Sequence, residues 1–252
     1  MKKFKNSEIK KHSKKTETLF VKLFLMPLAS KISLFFINNT NFKPYHISFL
    51  GLFFGVISAF LFYSGNHYFA AVTFIFAMIL DQVDGLVARV KNLKSVFGII
   101  IDNYSDVVII IINSFSLIII NFDNELFVIL MLTFLILNYI ESWFDFTIYS
   151  VFKYFSDKKK IEINKLDILF DNLKKKLEKF KLRTIFFYYQ ERYFCIFVLS
   201  PIFSFNNYFL LSILVLVFFM IHFKIIFDIS MIKISLSKKV NHSFKFRKNI
   251  NE

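Results

Sequence analysis

Four carboxylates set in otherwise apolar sequence are the groups of this chain best placed to do chemistry. Asp81 and Asp84 follow the apolar run from Phe69 to Leu80. Asp102 and Asp106 follow Val96-Phe-Gly-Ile-Ile-Ile, and apolar residues then resume. Spacings of three and four place each pair on one face of a helix. Only a few residues link the two helices, so they are antiparallel neighbours and all four side chains converge near one end. Ionised carboxylates that share a water-poor pocket repel one another and lose hydration. Divalent cations remove both costs, and hard oxygen donors favour Mg²⁺, Mn²⁺ or Ca²⁺. Two such ions suit a phosphoryl-type displacement, where they hold a diphosphate and neutralise the leaving group. Gly85 and Gly98 let a nucleotide approach the helix backbones closely. Arg89, one turn beyond Gly85, is within reach of a phosphate.

The elements that must hold these groups are membrane spans. Of 252 residues, 56% are hydrophobic and 38 are Phe, more apolar surface than a water-soluble domain of this length carries. A hydrocarbon core about 30 Å thick takes roughly 20 helical residues. That rule predicts spans at about 46–64, 67–90, 96–120, 126–152, 193–206 and 208–234, the fifth being short and containing Pro201. Residues 18–38 mix apolar side chains with Lys22 and Lys31 and predict an amphipathic helix lying in the interface.

The formal charge of +14 sits in the N-terminal arm, in the segment from Lys153 to Arg192 and in the C-terminal tail. Those blocks flank apolar stretches, which is how a membrane protein carries cytoplasmic charge, and they argue against a nucleic-acid partner. The links at 64–67, 121–125 and 204–207 hold no Lys or Arg. All three fall on the opposite face, so both termini and the carboxylates are expected to be cytoplasmic. Within the polar insertion, Leu166, Ile168, Leu169, Leu173, Leu177 and Phe180 recur at helical spacing with lysines between them. That pattern predicts a helix resting on the inner leaflet. Cys195 is the single cysteine, so no internal disulfide forms. The basic first 16 residues contain no short apolar run ending at a small-residue site, and no cleaved signal peptide is expected.

The pattern Asp81-x2-Asp84-Gly85-x2-Ala88-Arg89-x8-Gly98-x3-Asp102-x3-Asp106 resembles the signature of the CDP-alcohol phosphotransferases without a mismatch. The leading interfacial helix and the six spans extend the resemblance over most of the chain. It implies an all-α integral membrane enzyme. Residues 1–43 would form a basic cytoplasmic arm and interfacial helix. Residues 44–252 would form a six-helix catalytic domain with a basic cytoplasmic insertion at about 153–192.

The resemblance also implies roles. Asp81, Asp84 and Asp102 would hold divalent metal, Mg²⁺ or Mn²⁺ and two ions. Asp106 would be the base that deprotonates the acceptor hydroxyl, and it too would touch a metal. Gly85, Ala88 and Gly98 would line the cytidine site, and Arg89 and Ser95 would contact donor phosphates. Family members often carry Pro-Asn-x-x-Thr where the chain enters the first span. Here Pro44-Tyr45-His46-Ile47-Ser48 keeps the proline and a hydroxyl, which adds Pro44 and Ile47 to the donor site.

The implied reaction moves a phosphatidyl group from CDP-diacylglycerol to an alcohol and releases CMP. In the alternative, a CDP-linked polar headgroup passes to a lipid or polyol. Partners are then the CDP-alcohol donor, the alcohol acceptor and membrane lipids, and a homodimer is left open. Glu141, Asp145, Arg183 and Arg192 are candidates for binding the acceptor; their bland reading is polar packing and snorkelling to headgroups. Gly51 and Gly55 read as helix packing, and His46, His67 and His222 as structural or interfacial. A divalent-cation transporter is the non-enzymatic alternative. It requires carboxylates at mid-membrane, whereas these lie toward one face beside Arg89.

Overall fold

The computed structural model describes residues 4, 8–9, 12–13, 17–155, 164–180, 182, 189–203 and 207–248, with side chains except at 145–146, 148–155 and 235–248. Regular structure among them is helical. The helices are α1 (Val21–Asn39), α2 (Pro44–Tyr63), α3 (His67–Val90), α4 (Val96–Ile120), α5 (Glu125–Phe155), α6 (Lys165–Lys179), α7 (189–202) and α8 (Asn207–Lys248). The first turns of α1 (Val21–Leu25) and the middle of α7 (Cys195–Leu199) are π-helical. Contacts divide the chain into one unit of Met1–Leu135 with Phe186–Leu214 and another of Ile136–Ile185 with Val215–Glu252.

In the first unit α3 is the central element, buried along Ala70, Phe74, Ala77, Leu80, Asp84 and Val87. It packs against α2, and α2 packs against α4. The glycines of α2 serve this packing: a Cβ at Gly55 would come within 2.4 Å of Ile109 on α4, and Gly51 faces Leu80 on α3. The Gly55 carbonyl accepts a hydrogen bond from Asn113 Nδ2 at 3.1 Å. Helix α3 ends in a Schellman turn. Asn92 takes φ +54°, and the Leu93 N–H donates to the Ala88 carbonyl at 2.9 Å. The chain then turns back at once, and the Ser95 hydroxyl caps α4 by accepting from the Gly98 N–H at 3.0 Å.

Among the described residues, six helices are long and apolar enough to cross a bilayer: Val21–Asn39, Pro44–Tyr63, His67–Val90, Val96–Ile120, Glu125–Phe144 and Asn207–Ile234. Together with their apolar exposed faces they make this an integral, multi-pass membrane protein. The set differs from the expected one in two places, and contacts explain both.

Helix α1 has the length to cross, yet both its ends are tied to the carboxylate end of α3. At its start, the Phe20 ring packs at a tilt 4.7 Å from Phe194, one turn from Gln190, whose Nε2 lies 3.4 Å from Asp81 Oδ2. At its finish, Lys91 Nζ donates to the carbonyls of Thr40 at 3.0 Å and Phe36 at 3.4 Å. Asp81 and Lys91 are separated by only about 15 Å of helix, against about 28 Å for α1 itself. A helix anchored so at both ends lies along the interface.

Helix α7 is too short to pass a length test, but it runs the right distance. It starts at Gln190 beside Asp81, and Asn207 beyond it exchanges side-chain hydrogen bonds with Asn124 at 3.2 and 3.4 Å, next to the α4–α5 turn. Gln190 to Ile202 spans about 18 Å as helix, against roughly 22 Å from Asp106 to Asn121 on α4. Phe197 anchors this stretch, fully buried against Phe74 at 4.7 Å and near Phe134 and Phe62.

In the second unit α6 docks on α8. Phe170 packs on Phe223 and Phe227 at 5.7 and 5.4 Å, and Asp167 lies 3.8 Å from Lys233. Asp167 also accepts the Asn164 N–H at 2.9 Å, closing a capping box at the start of α6. Leu166, Ile168 and Leu169 stay exposed, as a helix resting on a leaflet requires.

Candidate functional site

Helices α3 and α4, each packed against α2, bring three of the four aspartates together. Asp81, Asp102 and Asp106 each offer a carboxylate oxygen, and these oxygens lie within 4.8 Å of one another. All three are half-buried. The donor set is purely hard oxygen, confined to a space that one or two small divalent ions fill, so the residues fit the metal expected of them. Asp84 is placed differently. It is 5% exposed, and its Oδ2 accepts a hydrogen bond from Ser48 Oγ on α2 at 2.6 Å.

Asp84 and Asp102 stand on the wall of a cavity of about 300 Å³ between the carboxylate ends of α2, α3 and α4. Pro44, Ser48, Gly85, Ala88, Arg89, Lys94, Ser95 and Gly98 complete its polar and small-residue lining. The Arg89 guanidinium lies over Gly85, where an added Cβ would meet Nη1 at 3.2 Å. Its Nε donates to the His12 carbonyl at 2.7 Å, which holds the planar group across the cavity wall. The cavity thus offers two cationic side chains, a helix N-terminus capped by Ser95 and no bulk at Gly85 or Gly98, the groups with which proteins hold phosphate.

On the other side of the carboxylates is a recess of about 30 Å³ lined by Asp81, Asp106, Tyr189, Gln190 and Tyr193, with Phe74, Ala77 and Met78 behind. It has room for about one water. Asp81 Oδ2 accepts from Gln82 Nε2 at 2.5 Å and from Gln190 Nε2 at 3.4 Å. Gln190 Nε2 also donates to Tyr189 Oη at 3.2 Å.

Of the residues expected to meet the donor, Pro44, Asp84, Gly85, Ala88, Arg89, Ser95 and Gly98 line the one cavity, whereas Ile47 is fully buried and does not. Glu141 is buried in an ion pair with Lys224 at 3.0 Å in the second unit. Arg192 is 2% exposed on α7. The side chain of Asp145 and the whole of Arg183 lie outside the described residues. Gln82, Lys94, Tyr189, Gln190 and Tyr193 are site residues that sequence reasoning missed. Gln82 sits inside the signature and Lys94 in the link that follows it, so position was a signal for both. Nothing local marked the three on α7.

Two comparisons bear on this arrangement. A family model described as CDP-alcohol phosphatidyltransferase matches residues 42–221. A solved structure with a similar fold is the phosphatidylinositol phosphate synthase of Mycobacterium tuberculosis, crystallised with CDP-DAG bound. It is 16% identical, the match covers 81% of this chain and 93% of that one, and the TM-score is 0.54. No curated protein matches at the level of sequence.

Proposed function

Because the chain belongs to the CDP-alcohol phosphatidyltransferase family, we propose that it transfers a phosphatidyl group from CDP-diacylglycerol to an alcohol acceptor, releasing CMP at the cytoplasmic face of the membrane. The observation that favours a lipid-linked donor is the rim of the 300 Å³ cavity. Ile99, which lines it, is 59% exposed, and Val96, Phe97 and Ile100 beside it on the first turns of α4 are 76%, 55% and 58% exposed. A CDP head in the cavity would pass its acyl chains directly onto this apolar surface. A CDP-linked polar headgroup would leave it with no counterpart. The solved relative holds CDP-DAG, which agrees with this choice of donor.

In this reading Arg89 and Lys94 hold the donor diphosphate, and Gly85, Ala88 and Gly98 give the cytidine its close approach. Divalent ions, Mg²⁺ or Mn²⁺ and two in number, would be held by Asp81, Asp102 and Asp106 with Asp84 beside them, and would supply neutralisation of the diphosphate charge. Asp106 takes the proton from the acceptor hydroxyl. The acceptor oxygen then bonds to the phosphorus distal to cytidine, the bond from that phosphorus to the CMP oxygen breaks, and CMP leaves with the electron pair. Asp106 adjoins the recess opposite the donor cavity, which has room for the acceptor's hydroxyl and not for the whole acceptor. We place the acceptor on the α7 side, with Arg192 as a candidate contact. Residues 44–252 carry the catalytic domain, and residues 1–43 serve it as arm and interfacial helix.

Purified protein in lipid bilayers should release CMP from CDP-diacylglycerol when offered a panel of alcohols and a divalent cation. It should not do so in excess chelator. Efficient CMP release from a CDP-linked polar alcohol onto diacylglycerol would overturn the choice of donor, and full turnover without a divalent ion would overturn the metal.

A further inference from the structure

We propose that Gln190, on α7 and outside the signature, is the positioning residue for Asp81, and that it sets the affinity of the carboxylate cluster for its cation. This rests on the reading of Asp81, Asp102 and Asp106 as metal-holding groups.

Asp81 is approached by two carboxamides from two elements. Gln82 comes from its own helix at 2.5 Å and Gln190 from α7 at 3.4 Å, and both donate to the same oxygen, Oδ2. Gln190 is 5% exposed, so ordering it costs little beyond what packing already imposes. Its amide nitrogen carries two hydrogens, enough for both of its partners, Asp81 Oδ2 at 3.4 Å and Tyr189 Oη at 3.2 Å. The side chain is therefore held by two partners as well as by its burial.

The choice of side chain is informative. A lysine at this place would neutralise Asp81 and compete with a cation. A carboxamide orients the carboxylate and leaves its charge intact. Groups that orient a metal-holding carboxylate in this way commonly change metal affinity by about 10- to 100-fold when removed. Because α7 also carries the recess beside Asp106, the same contact ties the position of that helix to the geometry of the cluster.

The test is Gln190→Leu in purified full-length protein, read first without substrate by Mn²⁺ titration under electron paramagnetic resonance. Metal affinity should fall about 10- to 100-fold. In a CMP-release assay the activity lost at low metal should return as metal is raised. Gln190→Asn, which stays polar but is one methylene short, should show the same defect, and it carries the test if the leucine variant fails to fold. Unchanged Mn²⁺ affinity in a folded variant would overturn the proposal. So would a raised acceptor KM with metal affinity intact, which would make Gln190 an acceptor contact. If the parent protein itself binds no Mn²⁺, it is the metal reading of the cluster that fails.

Discussion

Ser48→Ala removes one oxygen atom and tests how Asp84 is held. The Ser48 hydroxyl donates to Asp84 Oδ2 at 2.6 Å, and the carboxylate is 5% exposed, so water has little access to replace it. A hydrogen bond to a charged group contributes about 1.5–3 kcal/mol, and about 1.4 kcal/mol corresponds to a factor of ten. Removing this bond should weaken whatever depends on a charged, correctly aimed Asp84 by roughly 10- to 150-fold. Asp84 lines the cavity proposed for the donor, where it would hold its ligand in the ground state as well as the transition state. The loss should therefore appear as raised half-saturating donor and metal concentrations, with kcat at saturation nearly kept. The assay is CMP release over a grid of donor and metal concentrations, with thermal unfolding as a check on stability. Ser48→Thr retains the hydroxyl and should stay close to the parent. If alanine matched the parent, or threonine failed as alanine does, the Ser48–Asp84 bond would not be what sustains the site.

Asp106→Asn keeps the shape of the proposed base but cannot take a proton, so turnover should fall about 10²- to 10⁴-fold while Mn²⁺ binding is largely kept; restoration by high metal would leave Asp106 a ligand only. Asp102→Asn should show the opposite pattern, weakened Mn²⁺ binding with activity partly rescued by raised metal. With Cys195 replaced, cysteines at Asn66 and Asn124 should react with an impermeant thiol reagent from outside and one at Lys94 should not, and reversed labelling would turn the site away from cytosolic CDP compounds. Docking of α6 should depend on pH. The Ser230 hydroxyl and the Asn164 N–H, helped by Lys233, hold the Asp167 carboxyl below its usual range. A folded pKa below the unfolded one contributes stability that is present above about pH 4 and is lost as pH falls through the folded value. A spin label at Lys175 should thus gain mobility on acidification below about pH 4, and Asp167→Asn should be equally mobile at every pH.

The donor side of the site was legible because its residues are close in sequence and their spacing is helical. Asp81, Asp84, Gly85, Ala88 and Arg89 share one face of α3, and the Schellman turn at Asn92 returns the chain so that Ser95, Gly98 and Asp102 face them. Two helices joined by a short link and both packed on α2 leave almost no other arrangement. What spacing could not separate was Asp84 from the other three. Its different role comes from Ser48 on α2, 36 residues away. Gln190 was less visible still, since a single glutamine at the head of an apolar run carries no local mark and acquires meaning only 109 residues from its partner.

Helices α1 and α7 show why hydropathy alone misorders a membrane fold. α1 passes every test of length and composition and lies in the interface; α7 fails them and runs from the carboxylates to the far face. Hydropathy measures the free energy of placing residues in hydrocarbon one segment at a time, whereas these two segments are placed by neighbours. Lys91 satisfies carbonyls at the end of α1, and Arg89 is bonded to the His12 carbonyl ahead of it, so chain on either side of α1 is fixed to the same end of α3. α7 needs fewer apolar residues because Ile196, Phe197 and Val198 face protein and not lipid, and because its first turn begins at the depth of Asp81. A span that starts at a buried polar site need only cover the remaining thickness. The shortness that makes α7 look doubtful as a span is thus the consequence of its first turn being part of the site.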